Sequence, residues 1–322
     1  AIGRVSTVMD ASSQVSTRSY DANSNLLGIQ YPVGTEWVTY SYDTLNRLKS
    51  MQDSNAITTN TYSVRGELVT QVDAGIYTLS YAYDGVGNRT LLVNPDSGRF
   101  TYTYDAANRV STVKNPDGRI LTYQYDATSN LTTVSTGLGD VRKMQYDAVG
   151  NKTTQIDSNG STVVTQVDTY DGVGNRTTRS QDGTLTTWTY DSTYQLLAQQ
   201  TANTYSTQTY DAAGNVLTKW EQGSSPMTFT YSTRNRISTM KQGGSTTTYN
   251  YANTGYLRSE TLGANITTYT YNGSLWLTGV NASGSLSTYT YRADGKRISG
   301  IESGGTLTTT IWDGDDYLME KS

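Results

Sequence analysis

Thr101-Tyr102-Thr103-Tyr104-Asp105-Ala106-Ala107-Asn108-Arg109-Val110 decides how the rest of the chain is read. Tyr102 and Tyr104 alternate with Thr101 and Thr103. A period of two puts the tyrosines on one face of a strand and the threonines on the other. Asp105 follows at once, and its carboxylate is placed to accept a hydrogen bond from the backbone two residues on, which starts a turn. Asn108 comes four residues after Tyr104; Asn and Gly are the residue types that best tolerate positive φ. A type I turn closed by one left-handed residue makes a hairpin with a bulge. Val110 then opens the return strand.

The same pattern runs along the whole chain. Its aromatic falls at Tyr20, Tyr42, Tyr62, Tyr83, Tyr104, Tyr125, Tyr146, Tyr170, Tyr190, Tyr210, Tyr231, Tyr251, Tyr271, Tyr291 and Trp312, fifteen positions 20 to 24 residues apart. Asp follows the aromatic in ten copies, among them Asp21, Asp43, Asp84, Asp105, Asp126, Asp147, Asp171, Asp191 and Asp211. Gly or Asn stands four residues after it in ten, including Gly87, Asn108, Gly150, Gly174 and Gly214. An aliphatic returns six residues after it in eleven, such as Leu26, Leu48, Leu131, Ile237 and Leu277. A fixed period of this length marks a repeat architecture.

A looser turn closes each repeat, as in Asn115-Pro116-Asp117-Gly118 and Asp157-Ser158-Asn159-Gly160. Each repeat is therefore one β-hairpin joined to the next by another. Residues 1–322 read as a single array of about 15 hairpin repeats and roughly thirty antiparallel strands in one continuous all-β meander. The longest spacing, Tyr146 to Tyr170, leaves three spare residues and predicts a longer loop near Ser158–Val164. Strands lie about 4.8 Å apart, and twisted open sheets rarely exceed about ten strands without curling. The sheet must coil, whether as a spiral wall, a solenoid or a closed barrel. Gly3-Arg4-Val5 falls in phase with Asn108-Arg109-Val110, so the chain reads as a segment of a longer array.

Composition narrows the function classes. Hydrophobic residues make up 35% and charged residues 16%, with Tyr at 27 against Phe at 2. That is too polar for a thick core and too rich in strand-forming Thr and Tyr for disorder. A flat apolar ring with a polar tip that reaches water suits such strands. The net charge of -4 and the absence of a basic stripe give nucleic-acid binding little support. Cys and His are both absent, which removes disulfides, ordinary zinc sites and imidazole catalysis. No apolar run reaches the ~20 residues a membrane helix needs.

Tyr83-Asp84-Gly85-Val86-Gly87-Asn88-Arg89-Thr90, Tyr170-Asp171-Gly172-Val173-Gly174-Asn175-Arg176-Thr177 and Tyr210-Asp211-Ala212-Ala213-Gly214-Asn215 resemble the YD repeat of Rhs proteins. The resemblance implies a spiral β-shell, here partial or open. In bacterial Rhs and toxin-complex proteins such a shell encloses a C-terminal toxin, and in teneurins a similar one supports cell-surface adhesion. It implies a secreted or cell-surface location, and protein cargo or neighbouring shell segments as partners. The chain departs from the family in two ways. None of its four prolines follows Asp, so the Asp-Pro motif of family self-cleavage is not here. The later repeats Tyr231-Ser232, Tyr251-Ala252, Tyr271-Asn272 and Tyr291-Arg292 lack the Asp.

The recurring Asp residues read as turn formers rather than acids or metal ligands. Asp313-Gly314-Asp315-Asp316 lacks the alternating ligands and terminal Glu of a calcium loop. Gly172-Val173-Gly174 is too short for a dinucleotide fingerprint. No catalytic, cofactor or metal residues are expected, and an enzyme is the least supported class. The favoured reading is a structural scaffold, the wall of a shell around or behind another polypeptide. Two alternatives stay open: a carbohydrate-binding or adhesion module using the Tyr rows as a glycan platform, and a fibre growing end to end through unpaired edge strands.

Overall fold

The computed structural model describes residues 4–10, 13–32 and 36–321. Gly3 lies outside them. Thirty-one strands, from Thr7–Met9 to Asp316–Lys321, make up one antiparallel sheet in which each strand pairs with the next along the chain. Among the described residues the first strand does not pair with the last, so the sheet is not closed into a barrel.

The hairpin is built as its residues dictate. In the repeat of Tyr104, Asn108 N–H donates to Asp105 O at 3.0 Å and Asp105 N–H donates to Arg109 O at 2.9 Å. The pairing Thr103↔Thr112 gives way to Tyr104↔Val110, which leaves Ser111 as a bulge. The same register shift follows Ser41, Thr61, Gln124 and Thr209. The residue four after the aromatic has positive φ in all fourteen Tyr-led repeats, including Ser24, Ser129, Tyr194 and Leu275, where residue type gave no sign of it. There the ladder on both sides holds the turn, and the side chain bears the left-handed strain.

The spare residues between Tyr146 and Tyr170 do not make a longer loop. They lengthen the strands to Lys152–Ser158 and Val163–Tyr170 around a short turn, because each added pair of residues gains ladder hydrogen bonds that a loop would leave to water.

The chain forms two compact units. One comprises Ala1–Tyr83, Leu92–Ser97 and Thr247–Ser322; the other comprises Asp84–Leu91 and Gly98–Thr246. Burial differs sharply between them. Of the fully buried apolar side chains Val38, Met51, Leu79, Tyr81, Leu92, Met144, Ala293 and Ile311, only Met144 belongs to the second unit. That unit is nearly all partly exposed sheet. The first has a core, and the core lies where its early strands meet its late turns.

Candidate functional site: the repeat ladder and the seam

Three recurring sets of contacts lock the hairpins and join them to one another. The first uses the signature aromatic. Tyr104 Oη donates to Arg89 O at 2.8 Å and Tyr125 Oη to Val110 O at 3.0 Å. Tyr20, Tyr42, Tyr62, Tyr83, Tyr146, Tyr170, Tyr190, Tyr210 and Tyr231 each reach the equivalent carbonyl of the hairpin before. Trp312 does so with its ring N–H, to Arg297 O at 2.8 Å. The polar tip thus serves the neighbouring backbone rather than water, which corrects the solvent-facing expectation. It also explains the scarcity of Phe, which has no donor to offer that carbonyl. Burial raises the pKa values of Tyr42, Tyr104 and Tyr210 above the usual phenol value.

The second set is the turn. Asp105 Oδ1 accepts from the N–H groups of Ala107 at 2.9 Å and Arg109 at 3.0 Å, while Oδ2 accepts from Arg109 Nε at 2.8 Å. Asp43 is held the same way by Leu45 and Arg47. Asp84, Asp126, Asp147, Asp171 and Asp211 take the side-chain amide of the Asn four residues on, as Asp21 does. Asp191 accepts from the Thr193 and Gln195 N–H groups. The side-chain and backbone hydrogen bonds of Arg109 hold Asp105 below the ordinary carboxylate value, and those of Asn151 do the same for Asp147. Where Asp is missing, Ser63 Oγ accepts from Arg65 N–H at 3.1 Å and Glu67 N–H at 3.2 Å, and Asn272 Oδ1 accepts from Trp276 N–H at 2.9 Å.

The third set is made five residues after the aromatic, where Asn or Arg recurs in the motif; its role was not legible from the spacing. Arg109 donates to Asp126 O at 3.1 Å and stacks 4.6 Å from the Tyr125 ring centroid. Arg47 does the same to Ser63 O and Tyr62. Arg4, in phase as its sequence position indicated, donates to Asp21 O and stacks on Tyr20. Tyr256 and Trp276 replace the cation with a ring, 4.6 Å from Tyr271 and 5.7 Å from Tyr291. With an Arg or ring stacked on several Tyr faces and the hydroxyls bonded to backbone, the geometry adds nothing to the glycan-platform reading.

The seam lies wholly within the first unit. There the turns that depart from the repeat pattern dock onto the early strands. Ala293 packs against Val38 and Met51, with Tyr31, Tyr40 and Leu48 around them. Arg292, standing where other repeats carry Asp, is almost fully buried. It donates to Asp73 Oδ2 at 2.7 Å across 219 residues of sequence and to both Asp294 oxygens at 3.0 and 2.7 Å. Asp73 also accepts from Thr58 Oγ1 at 2.9 Å and Gln71 Nε2 at 3.0 Å. Burial alone would raise the Asp294 carboxyl, but the Arg292 hydrogen bonds and the Arg292 and Lys296 charges more than offset it, and the net shift is down. Gly273 N–H donates to the Glu36 carboxylate. A Cβ at Gly273 would lie 2.7 Å from both that carboxylate and Tyr31 Cβ, so only glycine fits there. Burial and the neighbouring Tyr31 push Tyr40 up to about 12. A cavity of about 280 Å³ between Tyr31, Trp37, Asn55, Trp276 and Tyr289 completes the seam.

Among the described residues no group of His, Cys, Asp or Glu is arranged to hold a metal ion. Asp315 pairs with Lys296 at 2.9 Å. No helix is long and apolar enough to cross a membrane, which says nothing of strands.

The RHS Repeat family matches residues 92–120, 104–141 and 125–162. No curated protein matches the chain. Its fold is found in solved structures of low identity. The crystal structure of TcdB2-TccC3 superposes with a TM-score of 0.66 at 15% identity over 94% of this chain and 22% of that one. The TcdB2-TccC3-Cdc42 structure gives 0.66 at 15%, over 94% and 21%. The Photorhabdus luminescens Tc holotoxin pore gives 0.63 at 13%, over 96% and 21%. The chain thus spans about a fifth of the length of those chains. The segment that resembles RHS repeats, residues 92–162, shares its turn, bulge and aromatic hydrogen bond with the repeats on either side of it.

Proposed function

We propose that this array is a length of shell wall, a non-enzymatic scaffold that holds or presents another polypeptide against one face of its sheet. The observation that carries this reading is how the repeat residues are used. Tyr hydroxyl and the following Arg join hairpin to hairpin, and the Asp carboxylate and the following Asn lock each hairpin's own turn. A side chain held that way has no free group to offer to chemistry, and its work is mechanical. The names of the matched structures, a Tc holotoxin pore and TcdB2-TccC3 complexes, support a place in a toxin-type assembly with a protein partner. A secreted or cell-surface location rests on the family resemblance alone.

The test tethers an unstructured, protease-sensitive polypeptide to the chain's C-terminus through a flexible linker. Its cleavage rate is compared with that of the same polypeptide tethered to an unrelated domain of similar size. Slower cleavage on the array is the expected result. Equal rates would reject a holding role for this segment.

A further inference from the structure

The two faces of the sheet in the second unit differ in how their charges are partnered, and net composition conceals it. Strand register separates them. Asp157, Asp168 and Glu221 pair with Arg142, Arg179 and Ser206, all on the tyrosine face. Asp168 is buried there between Arg179 at 2.8 Å and Arg176 at 3.4 Å. These three are the only carboxylates within the strands of this unit. The threonine face therefore has none. Its strand charges are Arg99, Lys114, Lys143 and Lys241, all exposed; Lys114, Lys143 and Lys241 pair in register with Thr101, Thr133 and Thr228. Among the described residues no ion pair engages these four.

The rest of that face is mostly hydroxyl and aliphatic, with Gln124, Gln145 and Gln200 and the aromatic pair Tyr205 and Trp220 among them. Thr103 and Thr112, Thr169 and Thr178, Thr209 and Thr218, and Thr230 and Thr239 hydrogen-bond in pairs at 2.7 Å across neighbouring strands. The Thr209–Thr218 and Thr230–Thr239 pairs each use one proton between their members and keep a second donor and free lone pairs for a partner, while Thr103 and Thr169 also bond Ser111 and Thr177. Beside the linking turns, Ile120, Leu185 and Tyr205 pair with Lys114, Ser180 and Gln200 on the same face, and Leu185 is 51% exposed. These features repeat at strand spacing and do not converge on a pocket, which suits an extended chain rather than a small ligand.

We infer that the threonine face of residues 98–246 is the partner-facing side of the wall, and that its partner is an extended polypeptide rich in acidic and aliphatic residues. Unpaired cations supply the charge complementarity, hydroxyl pairs bond to backbone amides and carbonyls, and the open aliphatics cover apolar side chains. This rests on the proposed holding role and adds to it the face and the chemistry of what is held.

The experiment uses the full chain and an unstructured synthetic peptide of alternating Glu and Leu-rich blocks bearing photo-crosslinkers, with a Lys-for-Glu peptide as control. Crosslinks to threonine-face residues such as Thr187 and Thr207 are expected. They should be lost at high salt and weakened at least about tenfold by Lys114→Glu, Lys143→Glu and Lys241→Glu together. These are strand positions with exposed side chains, and circular dichroism of the variant checks its fold. Crosslinks on the tyrosine face, at Tyr123 or Trp188, would overturn the assignment while leaving the holding role standing. Equal crosslinking of the Lys peptide would overturn the acidic-partner claim alone. Absence of crosslinks, with retention on anionic phosphatidylglycerol vesicles instead, would overturn both.

Discussion

Replacing Arg292 with methionine tests the seam directly. Arg292 is 4% exposed and bonded to Asp73 and Asp294. Removing one partner of a buried pair costs about 3–5 kcal/mol, because the other charge stays behind without compensation. Asp73 keeps its bonds from Thr58 and Gln71, and Asp294 keeps Lys296 at 3.2 Å, which places the expected cost near the lower end, about 3 kcal/mol. In a repeat array the loss stays local. The readout is native-state hydrogen exchange of the strands Leu68–Asp73, Arg297–Ile301 and Leu307–Asp313. At 1.36 kcal/mol per tenfold, about 3 kcal/mol speeds their opening by roughly 150-fold. Arg142→Met is the control: its pair with Asp157 is half exposed and should cost at most about 1 kcal/mol. Asp73→Asn combined with Arg292→Met should be less damaging than the sum of the two, by about 2 kcal/mol. If Arg292→Met moves exchange no further than Arg142→Met, or if the two seam changes add, the seam is not held by this pair.

Other outcomes follow from the same geometry. Tyr125→Phe should leave Val110 O without its donor and cost about 1 kcal/mol, read as faster exchange confined to Val110–Lys114 and its neighbours. Gly87→Val should cost about 1–2 kcal/mol from backbone strain alone at φ 95°, since nothing lies within 4 Å of the new Cβ; global unfolding would contradict the array picture. Tyr194→Gly, at φ 66°, should relieve strain and raise the melting temperature. The pH profile follows from the direction of the shifts. The depressed carboxyls of Asp168 and Asp294 contribute stability that is present above their unfolded value near 4 and lost as pH falls through the lower folded value. Tyr40 and Tyr269, both at about 12, contribute stability that is full below pH ~10 and lost as pH rises toward 12. Thermal melts across pH 2 to 12 should therefore fall off at both ends, and a step near pH 6.5 would contradict this account.

How much was legible depended on whether an interaction is local and repeated. Tyr104, Asp105, Asn108 and Val110 sit within one hairpin, and their roles follow from spacing and residue type. The Tyr104 bond to Arg89 is less visible, although the excess of Tyr over Phe was a signal that each ring needs its hydroxyl. Ser24, Ser129, Tyr194 and Leu275 gave no hint of positive φ, because the neighbouring ladder imposes it against their preference. Arg292 looked like a departure from the repeat and Gly273 drew no reading, and the sense of both appears only with Asp73, Glu36 and Tyr31 beside them.

The sequence by itself therefore determined the hairpin, its turn, its period and the continuous antiparallel sheet, since each is specified within about twenty residues and then written again along the chain. Only the tertiary structure decided where the sheet packs on itself, which odd turns make that seam, and how charge divides between the faces. Those contacts join residues more than two hundred positions apart, or depend on register parity across many strands, and each is made once, so no period carries it.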